Sequence, residues 1–300
     1  MKFEPLQRLK TECKDLLELV LIPGLAAVMP WPVCFRLFKR ISYWPFLYKA
    51  ASERALAAVK TKMLVDSDVD WLAMRRLVTL VDHADLYLAR TRSNRWFGRY
   101  MDVSGRWTEP GQAAIFCTFH WGAGMWCLRH AASTGLHCHA MVAPLNGAHF
   151  AGRSVLHWYA RARTACVANT LGYPTLDVSR TLRPALQALR QTHQLMAAID
   201  VPADEVEATA TVNLIGQRAH MPRGLLRVAV EKQLPLVLAL TGFDVGTGRR
   251  HLRLQHFSGY TDTTLLMQDV FACLDAAIWE NSAAWHFWGE AERIFETQTK

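Results

Sequence analysis

The sequence predicts an α/β protein with a mostly parallel central sheet flanked by helices, preceded by a helical, membrane-facing N-terminal region. Three observations predict it. From residue 111 onward short apolar runs alternate with helical stretches, the pattern of strand–helix–strand units that build parallel sheets. The first 100 residues instead read as helices. The chain of 300 residues is 51% hydrophobic and 20% charged, enough apolar material for one large core with some left for a surface that is not fully wet. These expectations divide the chain into a helical region, residues 1–100, and an α/β body, residues 101–300, forming one structural unit.

Residues 6–20 place Leu6, Leu9, Cys13, Leu16, Leu17 and Val20 on one helical face, which is an amphipathic helix by spacing. Leu19 to Phe35 carries no charge. It is a poor membrane span all the same: it is shorter than the ~20 residues a bilayer requires, and Pro23, Pro30 and Pro32 interrupt it. Arg36, Lys39, Arg40 and Lys49 follow, interleaved with Phe35, Phe38, Tyr43, Trp44, Phe46 and Tyr48. Rings beside cations suit the headgroup zone of an anionic membrane, although two helices packed on a core would show the same residues. Residues 50–92 read as further helices, with Trp71, Met74, Leu77, Val78 and Val81 at core spacing. Arg90, Arg92, Arg95 and Arg99 around Trp96 and Phe97 form a second candidate surface for an interface or an anionic ligand.

Lys and Arg exceed Asp and Glu by 34 − 26 = 8, a balance that favours anionic partners. No nucleic-acid recognition motif accompanies the charge, so the expected partner is an anionic membrane surface rather than nucleic acid. Seven cysteines without a CxxC pair and no secretory signal at the N-terminus suggest reduced thiols and a cytoplasmic protein.

In the body, strands are expected at 113–119, 138–142, 194–199, 210–214, 234–241 and 251–254. Helices are expected at 121–134, 149–163, 179–193 and 222–232, with a closing helix at 263–281. The segment Ile115-Phe-Cys-Thr-Phe-His120-Trp-Gly-Ala-Gly-Met125-Trp sets a histidine directly after a buried strand and before a helix. In open α/β sheets ligands gather at the carboxyl ends of strands. Gly122 and Gly124 let a substrate approach the backbone, and the following helix start offers N–H groups to an anion or oxyanion.

This segment resembles the HxGxWE form of the His-x4-acid motif in the lipid A lauroyl/myristoyl acyltransferases, part of the wider lysophospholipid acyltransferase group. Ala197-Ala-Ile-Asp200 resembles that family's strand ending in aspartate, and Val212-Asn-Leu-Ile-Gly216 its hydrophobic strand closing on glycine. Pro222-Arg223-Gly224-Leu-Leu-Arg-Val-Ala229 is similar to its threonine/glycine helix start, and Leu234-Pro235-Leu-Val-Leu238 to its Pro-Val-Val-Pro strand. Trp285-His-Phe-Trp288 falls where the family has a tryptophan before a basic cluster, and the N-terminal Leu-rich stretch falls where it has a membrane anchor.

The resemblance implies acyl transfer from an acyl carrier protein or coenzyme A thioester, as co-substrate and with no cofactor, to a hydroxyl or amine. His120 would be the general base, and Trp121, Gly122, Gly124, Met125, Gly216, Arg223 and Gly224 would line the substrate site. It also implies a peripheral position on the cytoplasmic face of the inner membrane. The chain departs from the family at Met125, where the motif acid belongs, at Leu238, and in Glu290 and Glu292 where the basic cluster belongs. Three explanations follow: a carboxylate from elsewhere, with Asp200 the first candidate; an easier reaction that tolerates a bare histidine; or a non-catalytic relative that binds an acyl chain or a partner enzyme.

Other constellations carry less. Cys127, His130, His137, Cys138 and His139 lack zinc spacing. Cys117, three residues before His120, is expected to be a buried, inert thiol. Asp204, Glu205 and Glu207 form either a solvated loop or a wall of the His120 site. No Walker loop, GxGxxG or GxSxG is present.

Overall fold

The structure, a computed structural model, describes residues 5–143, 145, 150–177, 183–192 and 194–296. Helices α1 (Pro5–Asp15), α2 (Ile22–Val28), α3 (Trp31–Ile41), α4 (Lys49–Lys60), α5 (Asp68–Thr91) and α6 (Asn94–Arg99) come first, with a wide turn over Leu16–Leu21 between α1 and α2. Then follow β1 (Met101–Ser104), β2 (Ala114–Thr118), α7 (Met125–Ser133), β3 (His139–Val142), α8 (Ser154–Leu171), β4 (Leu176–Asp177), α9 (Arg183–Thr192) and β5 (Gln194–Ala198). The chain continues through β6 (Thr209–Leu214), β7 (Gln217–Pro222), α10 (Gly224–Glu231), β8 (Leu236–Phe243), β9 (Arg250–Phe257), α11 (Thr263–Glu280) and α12 (Ala291–Ile294).

Seven strands form one sheet in the order β1-β9-β8-β2-β5-β3-β4. Strands β8, β2, β5, β3 and β4 are mutually parallel. Strand β9 runs antiparallel to β8, and β1 follows β9. The central strands β2, β5 and β8 are largely apolar because both of their faces are covered. Along β2, Ile115 and Cys117 pack with Leu226, Phe271 and Leu274 of α10 and α11. The alternate residues, Ala114 and Phe116, pack with Phe35, Phe38, Leu80 and Trp126 of α3, α5 and α7. Helices from the first 100 residues therefore share a core with the sheet.

Several elements differ from the sequence expectation. Residues 210–214 lie in β6, which pairs antiparallel with β7 in a separate hairpin and not in the main sheet. Its two-residue turn, Ile215–Gly216, has positive φ at both positions (50° and 73°), as such turns demand, and the Ile215 N–H donates to the Asp275 carboxylate. Helix α10 starts at Gly224 rather than 222 because Pro222 still belongs to β7. Helix α7 starts at Met125 rather than 121, because residues 120–124 form the turn that carries the histidine. Helix α8 runs to Leu171 and ends on a left-handed Gly172. The expected helix start at 149 and part of the 179–193 helix lie outside the described residues.

The N-terminal helical face is inverted. Leu6 and Leu9 are 63% and 60% exposed, and Leu16, Leu17 and Leu21 are exposed as well, whereas Asp15 and Glu18 are 3% and 8% exposed. Arg153 forms an ion pair with Asp15 at 2.6 Å, and Glu18 accepts from the Tyr48 N–H at 2.6 Å. The spacing identified the stripe but not which side of it the core would take. The aromatic–basic stretch is likewise split: Phe35, Phe38 and Tyr48 are buried, while Tyr43, Trp44 and Phe46 are exposed. Among the described residues no helix is long and apolar enough to cross a membrane.

Candidate active site

Strand register places the two leading residues side by side. Thr118, the last residue of β2, pairs with Ala198, the last residue of the parallel strand β5. The Ile199 N–H extends the ladder to the Thr118 carbonyl at 3.0 Å. Two residues beyond each strand end stand His120 and Asp200. His120 Nδ1 lies 2.8 Å from Asp200 Oδ1, and the His120 backbone N–H donates to both carboxylate oxygens, at 2.9 and 3.0 Å. A carboxylate only accepts, so Nδ1 is the protonated nitrogen in this contact, and in the neutral ring it is Nε2 that keeps the lone pair. The Asp200 side chain is fully buried and that of His120 is 39% exposed. No hydrogen bond within the described residues engages Nε2.

The chain's C-terminal segment, 282–290, closes the other side. The Trp285 indole N–H donates to Asp200 Oδ2 at 2.9 Å, so each carboxylate oxygen has a directed side-chain donor. The His286 N–H donates to the His120 carbonyl at 2.8 Å, and the Gly122 N–H to the Ala284 carbonyl at 3.0 Å. His286 Nε2 donates to the Gly122 carbonyl at 2.7 Å. The Phe287 ring lies 4.2 Å, centroid to centroid, from the His120 ring. Arg75 of α5 anchors the segment by donating to the carbonyls of Ala283, Trp285 and His286 at 3.1, 2.8 and 3.2 Å. Burial holds the Arg75 guanidinium down to about 10. Burial and the neighbouring Arg75 charge hold His286 down to about 4, against an opposing pull from Asp82. His286 is therefore a neutral spacer at ordinary pH.

Gly122 has φ +57°, and a Cβ there would meet the Thr241 carbonyl oxygen at 2.2 Å, so only glycine fits. Gly124 faces open space. The backbone N–H groups of residues 120–123 are all engaged: His120 on Asp200, Trp121 on Phe119, Gly122 on Ala284 and Ala123 on Thr241. The nearest backbone donors left for a developing oxyanion among the described residues are the Gly124 N–H and the first turn of α7, where Met125 and Trp126 have no intrahelical acceptor.

The other residues singled out from the sequence are dispersed. Trp121 is buried and bridges to Trp285 across an isolated β-pairing. Met125 is buried with Leu19, Leu86, Tyr159, Ala162 and Cys166, so the position of the missing acid faces an apolar cluster. Gly216 sits in the β6–β7 turn, and Arg223 and Gly224 open α10. No hydrogen bond or ion pair joins these three to His120 or Asp200 among the described residues. Asp204 and Glu205 are held by Arg293 at 2.8 and 2.9 Å, an ion cluster that includes Glu290, so these two carboxylates are committed away from His120. Burial pushes the Cys117 thiol well above its ordinary range, and Cys127 and Cys138 up to about 12. Among the described residues no three His, Cys, Asp or Glu side chains converge as metal ligands would.

Arg75 enters the site without having been singled out from the sequence, and Trp285, singled out there only as a match to the family's tryptophan, enters through its bond to Asp200. A signal existed for Arg75, which lies four residues after Trp71 and three before Val78, a charged group on the core face of α5. Trp285 lies 85 residues from Asp200, and no local pattern reports such a contact. A groove of about 470 Å³ between β9 and α11, and a cleft of about 660 Å³ beside α8, are lined by neither His120 nor Asp200.

No protein-family model and no curated protein matches this chain.

Proposed function

We propose that the protein is an acyltransferase in which His120 is the general base and Asp200 supplies the carboxylate that Met125 cannot. The observation that carries this reading is the 2.8 Å contact between His120 Nδ1 and the buried Asp200, with Nε2 left free on the exposed side of the ring. The acceptor hydroxyl or amine gives its proton to Nε2 as its oxygen or nitrogen attacks the thioester carbonyl. The tetrahedral intermediate collapses by breaking the C–S bond, and the imidazolium returns the proton to the departing sulfur. Asp200 fixes the tautomer beforehand and stabilises the imidazolium between the two steps, as in other His–carboxylate pairs. Base catalysis of this kind contributes about 10²–10⁴ in rate. The donor is the thioester of an acyl carrier protein or coenzyme A, with no other cofactor.

The reading includes a peripheral position on the cytoplasmic face of an anionic membrane. It is supported by the exposed leucines of α1 and the turn after it, and by exposed Tyr43, Trp44 and Phe46 beside Arg36, Lys39 and Arg40. Such a mixture of apolar, aromatic and basic groups suits the headgroup boundary.

One observation favours a second reading, a catalytically silent relative that binds an acyl chain or a partner enzyme. The N–H groups of residues 120–123 are all committed within the protein, which removes the nearest oxyanion donors. Thiol release from acyl-coenzyme A or acyl carrier protein separates the two readings. The enzyme consumes thioester and His120→Ala does not, whereas a silent relative shows no difference between the two proteins.

A further inference from the structure

Beside α8 lies a cleft of about 660 Å³ that the proposed chemistry does not use. Ser154, His157, Trp158, Arg161 and Ala165 line it, spaced along one face of the helix as three- and four-residue steps require. Arg90, near the end of α5, lines the opposite side and donates to the Ala162 carbonyl at 3.1 Å. Arg90 and Arg161 thus line the same cleft, and the carbonyl that holds Arg90 belongs to the residue next to Arg161 in sequence.

Among the described residues neither Arg90 nor Arg161 has a carboxylate partner and no Asp or Glu lines the cleft. The neighbouring cation Arg153 is already neutralised by Asp15. The amides of Ser154 and Val155 are capped by the Glu12 carboxylate at 2.5 and 2.9 Å, so the helix start itself is filled. What remains is a pair of guanidiniums with no carboxylate partner among the described residues, whose remaining planar donors match phosphate oxygens. The same cleft is lined by the imidazole of His157, stacked on Phe150 at 4.9 Å and 22°, and by the half-exposed Trp158 ring. Two unpaired cations beside exposed aromatic surface, in a cleft of small-ligand size, suit an anion attached to an apolar or planar body.

We propose that this cleft binds a phosphate-bearing ligand, with the phosphate held by Arg90 and Arg161 and its apolar or planar part lying against Trp158. The assignment stands independently of acyl transfer at His120. A lipid headgroup and a nucleotide share this chemistry, and calorimetric titration of the full chain with three probes distinguishes them: inorganic phosphate, AMP and dihexanoyl phosphatidic acid. At least one probe is expected to bind saturably. Arg161→Gln, at a residue that makes no hydrogen bond or ion pair within the described protein, is expected to weaken binding at least tenfold without moving the thermal midpoint. Tighter binding of phosphatidic acid identifies a lipid source, and tighter binding of AMP a nucleotide. Trp158→Leu is expected to abolish the preference while leaving phosphate binding in place. No saturable binding of any probe to low millimolar concentration, or equal affinity in wild type and Arg161→Gln, overturns the assignment.

Discussion

Trp285 and Asp200, 85 residues apart, are joined by a 2.9 Å hydrogen bond from the indole N–H to Oδ2, while His120 occupies Oδ1. A fully buried carboxylate is tolerable only when its oxygens are matched by donors. The closing segment 282–290 thus completes the environment that lets Asp200 stand under the histidine. Arg75 in turn fixes that segment through three carbonyls.

Trp285→Phe keeps the ring packing and removes the donor. Leaving a buried acceptor atom without its partner costs about 1–3 kcal/mol, and the Asp200 carboxylate gains freedom to turn. Denaturant unfolding is expected to show a stability loss in that range, with thioester turnover reduced but not abolished.

Two neighbouring glycines should respond oppositely. Gly122→Ala places a methyl against the Thr241 carbonyl at a φ that L-residues avoid, and is expected to cost ~2–4 kcal/mol. Gly124→Ala meets nothing within 4 Å and should stay within about 1 kcal/mol of wild type. Equal thermal shifts for the two variants would contradict the tight turn at Gly122.

How much of this was legible in the sequence follows from the kind of signal each part leaves. Strands β2, β5 and β8 read correctly because a strand covered on both faces is a continuous apolar run, and His120 and Asp200 read as strand-end residues for the same reason. The edge strands β1 and β4, four and two residues long, leave no period to detect. Hairpin β6–β7 was hidden because its turn is Ile-Gly, not the Asn-Gly or Asp-Gly that usually signals one. The inversion of α1 was hidden because spacing shows a stripe without showing what covers it. Trp285 and Arg75 act through tertiary contacts that only the folded chain creates.

The pH response of stability tests the electrostatics of the closing segment. His286 has its pKa lowered from 6.5 to about 4 in the folded protein, so unfolding takes up a proton between those values. Its contribution is complete above about pH 6.5 and is lost as pH falls through the window toward 4. Asp85, raised by burial to about 7 against the pull of Arg250, acts in the opposite sense. His286→Gln retains a donor for the Gly122 carbonyl and removes the titration. The stability difference between wild type and this variant is expected to change by on the order of 1 kcal/mol per pH unit between pH 6 and 4.5, and a pH-independent difference would contradict the assignment.

The exposed leucines predict membrane binding. Leu6→Gln with Leu9→Gln alters two exposed side chains and should leave the fold unchanged. A buried leucine side chain contributes about 1.5–3 kcal/mol, so the double variant is expected to bind vesicles containing anionic lipid at least tenfold more weakly. Wild-type binding should also weaken with salt. Absence of wild-type binding at low salt would remove the membrane from the account.

In the proposed reaction His120, held by Asp200, takes a proton during acyl transfer. The most direct test of this step is thiol release from acyl-coenzyme A and acyl carrier protein thioesters by wild type, His120→Ala and Asp200→Asn, each shown to be folded by its thermal midpoint. Wild type is expected to turn over thioester, His120→Ala to lose that turnover, and Asp200→Asn to fall by about 10³–10⁴, because an amide can no longer accept from both His120 and Trp285. Equal thioester consumption by all three proteins would contradict this step.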